Sequence, residues 1–273
     1  MGISAWQSLV TPTGGTQAIA LADLVAGILP GYINGLTIAN NGTDAVNDID
    51  FATGSCSNST GKSVISLATA MTKQLDVAWA AGTNAGGRMS AAAITDTTYH
   101  CFVILNPTTG AVDCGFDTSP TSPTLPTGYT LFRRIGSIVR AGATILAFLQ
   151  NGDDFSLVTS VASYSAGNPG TSAVLVTMSI PIGFKLKTRL MALVTCSDIS
   201  TTLTLGVKDP AEATASAKEI GLNSLATAGT YTARQVINVY TNTSGQVQFI
   251  LNSSTANINV TIHTLGWADT RGR

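Results

Sequence analysis

Along the second half of the chain, apolar and polar residues change places one for one. VLVTMSI (174–180), LTLGV (203–207), VQFIL (247–251) and INVTIHTLGW (258–267) all keep this alternation. Successive side chains on a strand point to opposite faces, so the pattern predicts antiparallel sheets with one buried and one wet face. Residues 164–273 are therefore expected to form a compact antiparallel β-sandwich, jelly-roll-like in architecture. Upstream, from Gly31 onward, short β-like runs are separated by Asn-Gly, Gly-Gly, Pro and Thr-rich turns. That punctuation belongs to sandwiches and barrels rather than to βαβ units. YHCFVIL (99–105) and AVDCGF (111–116) read as a hairpin around the turn NPTTG. LFRRIGSIV (131–139) and TILAFLQ (144–150) read as a second, joined through Ala141-Gly142. In SVISLATAMTKQLDVAW (63–79), Leu67, Met71 and Leu75 allow a helix, but the Ser/Thr and β-branched content favours strands.

A single segment follows the helical period. In TQAIALADLVAGILPG (16–31), Leu21, Leu24, Val25 and Ile28 fall on one stripe, Thr16 caps the start and Pro30-Gly31 stops the end. The stripe must pack on its own domain or dock on a sister subunit or larger assembly. The expected chain is thus mainly β: a helical anchoring segment over 1–34, a β-rich domain over 35–163 and the sandwich over 164–273. The boundary is placed in the Ser/Gly/Asn/Pro stretch SYSAGNPGTSA (163–173).

Composition narrows the function. With 11% charged residues and a net charge of −1, the 273-residue chain lacks the basic excess of a nucleic-acid binder. A 44% hydrophobic content with so little charge leaves large apolar patches on an isolated chain, which predicts a homo-oligomer. No run approaches the roughly 18 to 20 apolar residues of a membrane helix. The start MGISAWQSLVTPTGG lacks a secretory pattern, so folding in a cytoplasm is expected, with Cys56, Cys101, Cys114 and Cys196 reduced. Cys101 and Cys114 flank the NPTTG turn and could face each other across it.

Candidate chemistry is thin. His100 and His263 stand apart from any partner pattern, and there is no GxSxG elbow or HExxH helix. SNSTGKS (57–63) has Cys56 where a P-loop needs glycine. Asp44, Asp48 and Asp50 do not fit a calcium loop and suit turn chemistry instead. No catalytic, cofactor or metal residue is expected.

The stretch Gly35 to Phe155 resembles a segment of tailed-bacteriophage and prophage virion appendages, tail-fibre proteins especially. The residues that carry it are GLTIANNGTDAVNDIDFATGSC, TKQLDVAWAAGTNAGGRMS, TTYHCFVI, VDCGFDTSPTSPTLPTGYTLFRRIGSIV and FLQNGDDF, and the ending GWADTRGR is similar to the close of such chains. The resemblance implies a non-enzymatic virion protein, assembled as a homotrimer in the bacterial cytoplasm. Its N-terminal part would be anchored to other phage structural proteins, and its C-terminal sandwich would face a host-surface glycan. A capsid decoration or head-fibre protein is the alternative. An envelope depolymerase needs a carboxylate pair in an aromatic-rich groove, for which 6% aromatic residues is poor provision.

Two sets of residues carry the remaining expectations. Arg133 and Arg134, crowded with Arg140 into one strand-like run, must find carboxylates or carbonyls if buried. Asp113 and Asp117 on the preceding hairpin are the nearest acids, with Asp153 and Asp154 beyond the next strand. One arginine is expected to clamp the loop DTSPTSPTLPTGY and the other a neighbouring subunit. The polar loops YTNTSGQ (240–246) and NSSTAN (252–257) supply candidate recognition residues Tyr240, Asn242, Asn252 and Asn257, whose hydroxyl and amide groups suit sugars.

Overall fold

The computed structural model describes residues 31–198, 202–214, 217–223 and 229–272; the helix expected over 16–29 lies outside them. Among the described residues every regular element is a strand, and the strands, numbered β1 to β20 in chain order, form four sheets.

The smallest sheet holds β1 (Ile33–Gly35), β4 (Gly54–Ser57) and β5 (Val64–Leu67), all antiparallel. The P-loop-like SNSTGKS is the turn between the last two, where Asn58 Oδ1 accepts the amides of Lys62 and Ser63 at 2.9 and 3.2 Å.

The largest sheet comprises β2 (Ile38–Asn40), β3 (Asp48–Phe51), β6 (Met71–Ala78), β7 (Ala85–Arg88), β8 (Thr98–Leu105), β9 (Val112–Asp117), β10 (Leu131–Ala141) and β11 (Thr144–Ile145). Its order is β11-β10-β8-β9-β7-β6-β3-β2. Residues 63–79 hold two strands, β5 and β6, rather than a helix, as their β-branched content indicated. The first expected hairpin forms as β8–β9, with Leu105 opposite Val112. Cys101 there faces Phe116, and Cys114 faces Val103, so the two thiols are out of register with each other. Strand β7 runs parallel to both neighbours, β6 and β9. It fits because Gly86 and Gly87 carry no side chain: a Cβ on Gly86 would lie 1.9 Å from the Ala78 carbonyl oxygen, and one on Gly87 would lie 2.6 Å from the Phe116 ring.

The second expected hairpin is cut short. β10 pairs β11 only through Arg140–Ile145 and Ala141–Thr144, and the chain then crosses to another sheet. That sheet is β12 (Phe148–Asn151), β13 (Asp154–Gly167), β20 (Ile258–Ala268), β15 (Lys187–Cys196) and β18 (Tyr231–Tyr240), in that order. Facing it are β14 (Val174–Thr177), β19 (Gln246–Leu251), β16 (Thr202–Lys208) and β17 (Lys218–Asn223). The inward residues Leu190, Ala192, Val194, Val260 and Ile262 of one sheet share a core with Leu203, Leu205, Val207, Val247 and Phe249 of the other. Each of these side chains other than that of Ala192 contributes about 1.5–3 kcal/mol on burial. Tyr164 and Phe249 meet edge to face across it, 5.0 Å between centroids. Leaving β12 aside, the strands from β13 to β20 lie first-eighth-third-sixth in one sheet and second-seventh-fourth-fifth in the other.

The expected boundary at 163/164 falls inside β13, and the one at 34/35 falls inside β1. Residues 163–167 are loop-like in composition, but β20 supplies their backbone partners, with Tyr164 opposite Ile262 and Gly167 opposite Asn259. Pairing overrides local preference there. The change of sheet comes between β11 and β12 instead.

Candidate functional site

A β-bulge between Arg134 and Gly136 interrupts the pairing of β10 with β8. Around it the chain concentrates buried charge. Arg134 is 8% exposed and grips Asp269, itself fully buried, with both guanidinium nitrogens, at 2.5 and 2.8 Å. Its Nη1 also donates to Ser137 Oγ at 3.0 Å. Arg133 Nε donates to the Arg271 carbonyl at 3.3 Å. Arg271, at φ +58°, reaches back: Nε donates to Ile135 O at 2.9 Å, and Nη2 donates to Gly35 O and Leu36 O at 2.7 and 2.5 Å. The run after β20 is thereby tied to β10 and to the start of the largest sheet.

This corrects the expected clamp. Asp113 and Asp117 are not the arginines' partners. Asp113 pairs with the fully buried Lys73 at 2.9 Å and accepts the amides of Gly82 and Cys114 at 2.7 and 2.6 Å. Lys73 completes its ammonium shell with the carbonyls of Ala80 and Gly82, at 2.7 and 2.9 Å, and lies over Trp79. Asp117 itself holds the Pro-rich loop, through the amides of Ser119 and Thr124 at 2.8 and 2.9 Å. The acids nearest in sequence were the wrong ones because β-sheet neighbours are set by pairing over long range. Arg140, the third of the run, pairs with Asp96, and Asp153 accepts the Asp269 amide through its carbonyl at 2.8 Å.

His100 belongs to the same cluster. It is fully buried, and its Nδ1 lies 2.8 Å from Ser137 Oγ. Burial lowers its pKa to about 3, the Arg134 charge adds to that, and Asp269 opposes it. The ring packs against Phe184, which Arg134 covers from 4.2 Å.

The candidate recognition residues do not converge. Tyr240 is 54% exposed at the end of β18, and Asn242 organises the next turn by accepting the amides of Ser244 and Gln246. That turn abuts the 178–183 segment, whose Met178 and Gly183 amides bond to the carbonyls of Gly245 and Thr243. Ile182 in turn donates to Thr98 Oγ1 of β8, so this end of the sandwich docks on the largest sheet. Asn252 and Asn257 lie beyond the far end of β19. Asn252 bridges to Thr202 and Thr204, and Asn257 Nδ2 donates to Asp198 at 2.7 Å. Hydrogen bonds from Thr255 and Asn257 hold the Asp198 carboxyl below the usual range. Ser254 links the same end to Asn168. Tyr240 and Asn242 thus mark the docked end, and Asn252 and Asn257 the distal one.

Other candidates have structural explanations. Asp44 Oδ1 caps the amides of Val46 and Asn47, and Asp50 accepts from Asn41 and Thr72. Burial, then Asp44, Asp76 and Asp50, push Asp48 up to about 6. Burial pushes the Cys56 thiol up to about 12, and raises Cys101 and Cys114 as well. Among the described residues no His/Cys/Asp/Glu group has metal-binding geometry, and no helix is long and apolar enough to cross a membrane.

Among the described residues the geometry is all-β, with a charged seam between two sheet systems. No protein-family model matches the chain, and no curated protein matches it. Among solved structures it is similar to an isomalto-dextranase from Arthrobacter globiformis T6 in complex with panose, at 14% identity and a TM-score of 0.19. The likeness covers 62% of this chain and 30% of that one. A likeness so slight assigns neither fold nor activity.

Proposed function

We propose that the chain is a non-enzymatic structural subunit of a tailed-phage virion appendage, homotrimeric, whose C-terminal sandwich presents its distal end to a bacterial surface glycan. The strand order of β13 to β20 is that of a jelly roll, a scaffold that leaves its end loops free for recognition. The observation that carries the reading is the asymmetry of the two ends. One end is fastened to the rest of the chain by Ile182–Thr98 and, beside it, by the Arg134–Asp269 pair. The other presents polar side chains: Ser254 bonded to Asn168, Asn257 bonded to Asp198, and Asn252 bonded to the backbone of Thr204. Amides, hydroxyls and a carboxylate form weak bonds to sugars, and trimerisation multiplies them by avidity. The segment before Gly35 would anchor the subunit to other virion proteins.

The test titrates the full chain onto a panel of bacterial envelopes and onto emptied phage capsids. Saturable envelope binding, lost in Asp198→Ala and Asn257→Ala, is expected. Binding to capsids alone would replace the reading with a decoration protein, and binding to neither would overturn it.

A further inference from the structure

The sheet β12-β13-β20-β15-β18 turns Leu190, Ala192, Val260 and Ile262 into the sandwich core, so the residues between them point outward. Register orders this outer face row by row, starting from the docked end. Lys187 lies opposite Tyr240 in one row; Leu149, Ser156, Arg189 and Asn238 share the next; Met191 lies opposite Val236 in the one after. Val158, two residues on from Ser156, points the same way and lies toward the Met191 row.

Leu149, Val158, Val236 and Tyr240 are each more than half exposed. Among the described residues this face thus holds four exposed large apolar side chains, whereas the outer face of the opposite sheet holds Leu175. The four stand at two lateral edges: Leu149 and Val158 on β12 and β13, Val236 and Tyr240 on β18. The edges carry them at matching heights, because Leu149 shares a row with Asn238, the outward residue between Val236 and Tyr240. Charge stands away from the apolar rows, with Asp154 and Lys187 at the docked end and Arg234 beyond Val236. Arg189, between them, turns its Nη2 onto Ser156 Oγ at 2.6 Å. An apolar centre with a charged rim is the anatomy of a protein–protein interface.

We infer, resting on the homotrimer proposed above, that this face is the contact between copies of the chain. Leu149 and Val158 of one copy pack on Val236 and Tyr240 of the next, and three copies close around an axis that runs along the strands. Rotation about such an axis leaves heights unchanged, so edges that meet must carry their apolar residues level, as these two do. A head-to-tail contact of this kind closes into a ring. Four strands of ten or more residues, about 4.8 Å apart and about 3.3 Å per residue, give the face roughly 600 Å² of flat area. Side chains add to that, which brings it near the roughly 800 Å² that each partner contributes to a stable interface. The three distal ends then lie side by side, facing the same way.

Sedimentation equilibrium of the full chain reads the oligomer, and circular dichroism melts check that each variant is folded. The wild type should sediment as a trimer. Val158→Lys and Val236→Lys, at exposed positions that tolerate charge within a single chain, should each weaken association at least ~30-fold. Leu175→Lys, at a similarly exposed position on the opposite sheet, should leave it unchanged. Val158→Lys combined with Val236→Glu should recover part of the loss, because opposite charges then meet between copies. Within one copy β20 and β15 keep those two strands apart. Three results would overturn this contact and spare the trimer: both single variants associating as the wild type does, Leu175→Lys dissociating the trimer as strongly, or no recovery in the double variant. A wild type that is not trimeric would overturn both.

Discussion

Arg134 and Asp269 form a two-pronged buried ion pair, at 2.5 and 2.8 Å, across 135 positions of sequence. The pair joins a strand of the largest sheet to the end of the sandwich's β20, and Arg271 repeats the connection through the carbonyls of Gly35, Leu36 and Ile135. In a chain with 11% charged residues, buried charge is thus concentrated where two sheet systems must keep a fixed relation. The second buried pair, Lys73–Asp113, plays the corresponding part where β7 runs parallel between β6 and β9.

Removing one partner of the seam pair leaves the other charge buried. Arg134→Ala and Asp269→Ala should each cost about 3–5 kcal/mol in urea unfolding. The double variant should cost clearly less than the sum, because neither charge is then stranded. Additive losses would show that the two side chains do not interact in solution.

Gly266 lets β20 pass Phe155 closely. A Cβ there would lie 2.1 Å from the Phe155 carbonyl oxygen, at a backbone φ of +154°. Gly266→Ala should therefore force the strands apart, lower the melting temperature by several degrees or more, and disturb the stack of Phe155 on Trp267, now 5.4 Å between centroids and 7° between planes. Tryptophan emission and thermal melts together check this.

Asp48 predicts a stabilising change. Its carboxyl titrates near 6 when folded against 3.8 for the ordinary group, so the folded state holds the extra proton between those values. Stability from this site falls as pH rises through that window and stays reduced above it. Asp48→Asn should raise the melting temperature at pH 8, and the gain should vanish by about pH 4. A gain that is equal at both pH values would remove the electrostatic explanation.

Much of the sandwich was legible because its strands have one wet face. β15 and β20 alternate buried and partly exposed residues nearly throughout, as the sequence pattern required. Three features had no local signature. The parallel placement of β7 depends on Gly86 and Gly87, which in sequence look like turn residues. The split of residues 144–150 between two sheets interrupts what reads as one apolar run. The partner of Arg134 lies in GWADTRGR, marked beforehand only by resemblance, because ion pairs between distant strands leave no spacing to read. For the recognition loops, residue chemistry was visible, but their assignment to opposite ends follows from strand order alone.

His100 makes the seam sensitive to acid. Buried against Ser137 and near Arg134, it titrates at about 3, whereas the ordinary histidine value is 6.5. Above 6.5 it is neutral in both states and contributes nothing to pH dependence. Below 6.5 the unfolded chain takes up the proton first, so folding loses about 1.4 kcal/mol for each pH unit until the folded value is reached. His100→Gln keeps a neutral polar group beside Ser137 and removes the titration. Its unfolding free energy should be lower than wild type at pH 7.5, yet decline more gently between pH 6 and 4, by close to one proton in the slope. Chemical denaturation at several pH values measures both quantities. An unchanged slope would mean that His100 is already accessible to protons in the folded protein, with the seam open around it.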